Sequence, residues 1–522
     1  MSSDDKNVSR LAMWSTLSSI GIRILNLILH QVVLVRYLDM KEMGQISIAL
    51  ELLLGNCMLV GGRNALRLAM NSTATYNYKI AYQVSIVGSI TSLLLAFHHY
   101  HTSTTSVEYR WAGLLYGISA MMEYMMEPYY LYGRVSFQVS ILAQAEVYSI
   151  LTKVVCILYL LLYLQTSPLL ACGISQLSQS LIVFMVVVPN ISLPHTTTFP
   201  KTVVSWYTIG NCMMQCLFQY ALTQGDRIVL SGIKDEQQDN TMGIYAISTN
   251  YGSIISRLLF QPLEEQSRLL FASSSSATDN NDILQRTYMS LLKLVVYIGM
   301  IFATLASNYT SIVVFLLLPS RHYSKEMIDA LTMFCFYILI LAMNGITEAF
   351  VYAMLPLQPK SQKYLLIYHG CVAMLYYIYL TPILLQHYHA VGLILANAIA
   401  MLLRILYSLH FASHYFAKQR NKKWYYVLPS LWMQSLPHPI LLGIFTTCYY
   451  ITYQSNESFQ QSVQTTTTTV STTMMYLQKT IPHIFMGITC LLVILLAFYQ
   501  VERPFRNQLK SFLSKNEKQK TS

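Results

Sequence analysis

Apolar runs long enough to cross a bilayer recur along this chain, and that recurrence leaves little freedom of fold. A hydrocarbon core about 30 Å thick takes roughly 20 apolar residues as a helix, because every backbone N–H and C=O must be satisfied without water. Such runs fall at 11–35, 43–62, 80–98, 111–132, 138–163, 167–188, 203–222, 241–261, 287–306, 329–355, 364–384, 389–411, 425–447 and 480–500. They predict an all-α polytopic membrane protein with about fourteen transmembrane helices. A shorter apolar segment at 310–318 either extends the ninth span or re-enters the membrane. Composition agrees: hydrophobic residues make up 54% of the chain and charged residues 11%, too few to coat a soluble protein of 522 residues. The run after MSSDDKNVSR is too long for a signal-peptide core and lacks a small-residue cleavage site, which predicts a retained first span.

The net charge of +11 reads as topology, not as an affinity for nucleic acid, because the basic residues lie mostly in short loops and tails. With fourteen spans, 21 of the 34 Lys and Arg fall on the side of the N-terminus and eight on the other. The remaining five, Arg23, Lys153, Arg257, Lys293 and Arg404, fall inside spans. This bias places both termini in the cytosol. The Thr- and Ser-rich loop 449–479 is then non-cytosolic, and its sequon Asn456-Glu457-Ser458 is a candidate N-glycosylation site. The organisation expected is an N-terminal lobe of seven spans over 1–222, then span eight and a polar linker over 223–286. A C-terminal lobe over 287–500 and a basic cytosolic tail over 501–522 complete it.

Polar residues at membrane depth are where chemistry is sought, since a centred charge costs about 2.5–3.5 kcal/mol on insertion scales. Arg23, Asn26 and His30 share one face of span one. Glu51 lies in span two, which ends in Gly61-Gly62-Arg63-Asn64-Ala65-Leu66-Arg67. Arg63 and Arg67, one turn apart, can present two guanidinium forks to one phosphate; the alternative is a topology signal. Glu123 and Glu127 share a face of span four, and are expected to pair with Arg134, Lys153 or Arg23 or to form part of a proton- or cation-coupling site. Glu51 is expected to pair with an arginine. Span eight carries Asn250, Arg257 and Gln261, with Glu264 and Glu265 just past Pro262. Asn344 and Glu348 share a face of span ten, and Arg404 lies in span twelve. Lys293 is close enough to a membrane surface to snorkel and is given no role. Each polar pair alone is adequate as helix–helix glue. Their spread over six spans suits a large polar substrate.

Several chemistries are disfavoured. The chain contains no Walker motif, no H-E-x-x-H pair and no acidic pore ring. The nine cysteines have no ligand spacing; Cys212 and Cys216, one turn apart, read as small buried hydrophobes. No catalytic residue, metal or other cofactor is expected.

Three stretches carry a family resemblance: Glu51–Ala69 (ELLLGNCMLVGGRNALRLA), Gly225–Ser231 (GDRIVLS) and Gly243–Ala272 (GIYAISTNYGSIISRLLFQPLEEQSRLLFA). Together they resemble the eukaryotic Rft family of endoplasmic-reticulum oligosaccharide-lipid translocation proteins. That family is similar to the multidrug/oligosaccharidyl-lipid/polysaccharide exporters, so the resemblance implies two pseudo-symmetric lobes of the MATE/MurJ kind. It implies transfer of Man5GlcNAc2-PP-dolichol from the cytosolic to the luminal leaflet of the endoplasmic-reticulum membrane, for protein N-glycosylation. The implied partners are that polyprenyl-pyrophosphate glycan, the membrane lipids and other proteins of the pathway, with no nucleic acid. Arg63 and Arg67 match the arginines ending the family's second span, and Asn250, Arg257, Gln261, Glu264 and Glu265 match its signature block. Arg23, Asn26 and Arg404 are further candidates to meet pyrophosphate or sugar. Two other readings stay open: a non-flipping accessory protein of the pathway, and an ion-coupled small-molecule exporter using Glu51, Glu123 and Glu127.

Overall fold

Helices begin where the sequence supplies a group for their orphaned first-turn N–H donors. Asn77 Oδ1 accepts from Ile80 N at 3.3 Å, and Ser106 Oγ accepts from Tyr109 N at 3.3 Å. Pro168 opens another helix behind Ser167, where its missing N–H costs nothing. The computed structural model describes residues 35–503 except 61, 74–76, 104, 137, 194–205, 233–235, 276–280, 320–322, 355–358, 421–422, 467–472 and several positions within 426–434. Among the described residues every regular element is helical. In chain order the longer helices are α1 (Glu51–Val60), α2 (Arg63–Thr73), α3 (Tyr78–Thr102), α4 (Val107–Val135), α5 (Val139–Leu158), α6 (Pro168–Asn190), α7 (Trp206–Gly232) and α8 (Glu236–Ile255). They continue as α9 (Gln261–Ser275), α10 (Asn281–Thr304), α11 (Thr310–Leu317), α12 (Lys325–Met354), α13 (Pro359–Leu375), α14 (Thr381–Gln419), α15 (Pro439–Thr466) and α16 (Thr473–Val501).

The chain divides into two compact units, Met1–Ile247 and Ser248–Ser522. In the first, α3 and α4 cross closely because small residues face large ones. Gly88 lies under the ring of Tyr124, where a Cβ would come 2.3 Å from the ring carbon Cε1. Tyr124 itself is wholly buried, in a cluster with Cys57, Met58 and Ala120. In the second unit α12 packs against α9, α10 and α14. Its centre is aromatic: the Phe350 ring is 4.8 Å from Tyr288, 5.2 Å from Phe416 and 5.4 Å from Phe271. Large apolar side chains are exposed in rows, such as Ile86, Leu94 and Phe97 on α3 and Phe485, Leu492 and Leu496 on α16, as bilayer-facing surfaces require.

Among the described residues seven helical segments are long and apolar enough to cross a membrane: Tyr78–Thr102, Ser140–Tyr163, Pro168–Asn190, Leu284–Leu317, Lys325–Met354, Ile367–Lys418 and Thr480–Val501. Ile367–Lys418 contains both 364–384 and 389–411 for most of their length, joined by a kink at His389 with φ 47°. Leu284–Leu317 absorbs 310–318 through a tight turn at Ala306–Tyr309, so that segment extends the ninth span.

Three expectations are corrected. The helix expected to end at 447 continues over Pro439–Thr466, so much of the expected loop 449–479 is helical. Pro437 and Pro439 set its start, and Gln, Ser and Thr do not end a helix that has neighbours to bond. Helix α7 runs past the expected end of its span at 222 and through the charged Asp226-Arg227 step, because both side chains have partners, described below. Helix α9 continues to Ser275, past the start of the expected polar linker. Arg23 and Asn26 of the first expected span, and most of the basic tail, lie outside the described residues.

Candidate functional site

Gly62 sets the register of the first candidate site. Its φ of 82° lies in the left-handed region, which ends α1 and lets α2 start in a new direction at Arg63. The Arg63 backbone N–H donates to Tyr124 Oη at 3.1 Å, and that hydroxyl donates to the Met58 carbonyl. One turn separates Arg63 from Arg67, and one turn separates Glu123 from Glu127 on α4, so the two helices match as a ladder of two rungs. Arg63 Nη1 pairs with Glu123 Oε2. Arg67 holds Glu127 with both forks, Nε to Oε1 at 2.5 Å and Nη2 to Oε2 at 2.7 Å. The Glu127 side chain is fully buried. The Arg67 guanidinium also lies 4.4 Å from the Tyr130 ring centre, and Tyr130 Oη donates to Glu146 Oε1 at 3.0 Å.

The network continues inward from Glu123. Ser180 Oγ donates to Glu123 Oε1 at 3.1 Å, and lies 2.6 Å from Ser119 Oγ. Gln176 Nε2 donates to Ser119 Oγ at 3.4 Å, and its Oε1 accepts from Lys153 Nζ at 2.7 Å. Glu51 is 3.4 Å from Arg227 Nη1, and Asp226 accepts from Tyr245 Oη. Glu123 and Glu127 therefore pair with Arg63 and Arg67; Arg134, Lys153 or Arg23 were the expected partners, and Arg23 lies outside the described residues. The signal that was overlooked is the matched one-turn spacing on two neighbouring helices. Ser119, Gln176 and Ser180 read in sequence as ordinary helix residues.

The second unit repeats the chemistry once. Arg404 on α14 grips Glu348 of α12 with Nε to Oε1 at 2.6 Å and Nη2 to Oε2 at 2.7 Å. Buried atoms nearby and along α8 lack hydrogen-bond partners: Asn344 Oδ1 and Asn250 Nδ2. Arg257, Gln261 and Glu265 are exposed on the helical path through α9, whereas Glu264 is half-buried against Gly345. Lys293, expected to snorkel alone, pairs with Glu502 Oε1 at 2.7 Å, which also accepts from Tyr297 Oη at 2.6 Å. Glu502 falls just beyond the last expected span and was not singled out. Asn456 stands on helix α15, and its Oδ1 accepts from Ser311 Oγ at 2.9 Å. Among the described residues no group of three or more His, Cys, Asp or Glu side chains could hold a metal ion.

In chemical terms the first unit presents two guanidinium groups one turn apart on a partly exposed face, each held by a carboxylate. Arg63 Nε is a buried donor without a partner. An anion with several oxygens is the ligand that could exchange with such carboxylates.

A sequence profile of the family described as Rft protein matches residues 9–512. The Saccharomyces cerevisiae Man(5)GlcNAc(2)-PP-dolichol translocation protein RFT1 is 30% identical over 197 residues, 37% of this chain and 33% of that protein. The match thus spans only a third of that relative's length. The Mus musculus protein of the same name is 25% identical over 366 residues, 64% of this chain and 65% of its own, and the Xenopus tropicalis one 23% over 464 residues, 81% and 85%. Among solved structures, a lipid II flippase MurJ in an inward closed conformation superposes with a TM-score of 0.63 at 14% identity, covering 94% of this chain and 99% of that one. The likeness establishes a shared fold. With the profile spanning nearly the whole sequence, the chain belongs to the Rft protein family.

Proposed function

We propose that this protein moves a lipid-linked oligosaccharide between leaflets, with Man5GlcNAc2-PP-dolichol crossing from the cytosolic to the luminal side of the endoplasmic-reticulum membrane. The observation that carries this reading is the family match over residues 9–512, with relatives named for that translocation. The fold is shared with a protein described as a lipid II flippase, which is consistent with this reading. The pyrophosphate is placed at Arg63 and Arg67 in the first unit and at Arg404 in the second. The sugars occupy a watered groove, and the polyprenyl tail stays in lipid. Asn250, Arg257 and Gln261 are offered as polar contacts for sugar, with Arg23 and Asn26 of the first span. Both termini are placed in the cytosol, following the charge bias of the loops.

The test is reconstitution of the full-length protein into liposomes with labelled Man5GlcNAc2-PP-dolichol, following exchange between leaflets alongside equilibrium binding. Translocation predicts protein-dependent acceleration, reduced at least tenfold by Arg63→Ala or Arg67→Ala at matched protein amounts, about 1.4 kcal/mol of lost interaction. Binding without acceleration would establish instead the accessory reading, in which the protein holds the glycolipid without flipping it.

A further inference from the structure

In the second unit two carboxylates approach one guanidinium, and only one of them is satisfied. Arg404 spends Nε and Nη2 on Glu348. Glu264 of α9 comes against the same face of α12 through the gap left by Gly345, where a Cβ would lie 3.2 Å from Glu264 Oε2. Among the described residues Glu264 has no ion pair or hydrogen bond. On α12, Asn344 lies four residues and Gly345 three residues before Glu348, so each neighbours Glu348 along the helix surface. Asn344 is 5% exposed, and its Oδ1 is a buried acceptor without a donor. The cluster therefore has a surplus of acceptors and one uncompensated negative charge.

The surrounding groups do not cure this. Glu348 and Tyr352 come from α12 and Arg404 from α14, while Glu265 and Arg268 stand exposed on the helix of Glu264 itself. His369 of α13 is buried within the field of Glu348 and Arg404. Arg286 on α10 and Arg257 on the preceding turn are exposed. An unpaired carboxylate at this burial is relieved by binding a proton. The contact of Glu264 with Gly345 and the neighbouring Glu348 charge both disfavour an ionised carboxylate there. One carboxylate with one amide oxygen is a meagre donor set for a metal ion, whereas a proton needs a single base.

We propose that Glu264 is a proton-exchange site, its carboxylic acid form supplying the donor that the Asn344 acceptor lacks beside the fixed Glu348–Arg404 pair. The proton comes from water and returns to it. Uptake neutralises the cluster and leaves Arg404 to Glu348 alone; release creates a second carboxylate competing for the same guanidinium. This holds whatever cargo the protein handles.

Infrared difference spectroscopy of the full-length protein in nanodiscs tests it without any glycolipid, between about pH 5.5 and pH 8.5 so as to bracket a raised carboxyl. The wild type should show one protonated-carboxyl band titrating near neutrality, and Glu264→Gln should abolish it. Asn344→Leu should keep the band but lower its midpoint by about one pH unit, a tenfold loss of proton affinity. A wild-type protein with no such band would overturn the proposal, and so would a band that survives Glu264→Gln. Glu264→Gln removes no ion pair, and the wild-type titration is informative even if a variant fails to accumulate.

Discussion

The Arg67–Glu127 rung allows a prediction with a built-in asymmetry. Glu127 is fully buried, whereas the Arg67 side chain keeps 23% of its surface exposed and lies against the Tyr130 ring. Arg67→Met strands a carboxylate with no water to solvate it, and breaking a buried pair in that way costs about 3–5 kcal/mol. Glu127→Leu strands a guanidinium that retains water and the Tyr130 face, so its cost should be smaller, about 2 kcal/mol, near the low end for a charge left with partial solvation. The double variant replaces both partners by apolar groups of similar volume and should lie within about 1 kcal/mol of wild type, because the desolvation of both ions is recovered. The implied coupling is above 3 kcal/mol, far beyond the roughly 0.3–0.5 kcal/mol scatter of independent sites. Equilibrium unfolding of the four proteins in mixed detergent micelles, followed by tryptophan fluorescence, measures the cycle. Additive costs would refute the claim that this rung is a desolvated pair. Equal single-variant costs would refute the assignment of the asymmetry to exposure.

Two further outcomes follow from packing and pairing elsewhere. Gly88→Ala drives a Cβ into the Tyr124 ring at 2.3 Å, and Tyr124 is pinned by the Arg63 N–H and the Met58 carbonyl; a loss of about 1–3 kcal/mol is expected from overpacking, visible as a lower melting temperature in detergent. Glu502→Gln leaves Lys293 without its carboxylate but keeps an acceptor for Tyr297, so it should cost less than Glu502→Leu by about 1 kcal/mol, the worth of one retained hydrogen bond. Identical melting curves for the two Glu502 variants would remove the Tyr297 bond from the account.

Much of the helical framework was legible because hydrocarbon admits few backbone solutions, so length and hydropathy mark spans such as Pro168–Asn190 and Lys325–Met354 to within a few residues. Hydropathy failed where polar residues remain helical: α15 carries Thr446–Asn456 well past the expected boundary, since its Thr452 and Asn456 bond to Asn308 and Ser311 of the neighbouring turn and helix. The polar residues were legible as residues and illegible as pairs. One-turn spacing shows that Glu123 and Glu127 share a face, but only the Gly62 turn and the α2–α4 packing decide that the face meets Arg63 and Arg67. Lys293 was misread for the same reason, because Glu502 is over 200 residues away in sequence.

This pairing governs how any anion can be held. Arg63, Arg67 and Arg404 are not bare charges waiting for phosphate, and their insertion into the bundle is tolerated because each brings a carboxylate with it. A pyrophosphate that takes the Nε and Nη2 donors of Arg67 takes the place of Glu127, and the displaced carboxylate then needs a new donor or a proton. Binding by exchange is weaker than binding to an open guanidinium, since the gain of the new pair is reduced by the loss of the old one. It is also reversible, because the carboxylate stays tethered to α4 and recaptures the arginine when the anion leaves. A carrier that must release its cargo on the far leaflet gains from that recapture, whereas a protein that only stores the glycolipid would bind it better with the carboxylates removed. Glu123→Gln and Glu127→Gln variants that tighten glycolipid binding while slowing its transfer would therefore separate a carrier from a holder at the level of single residues.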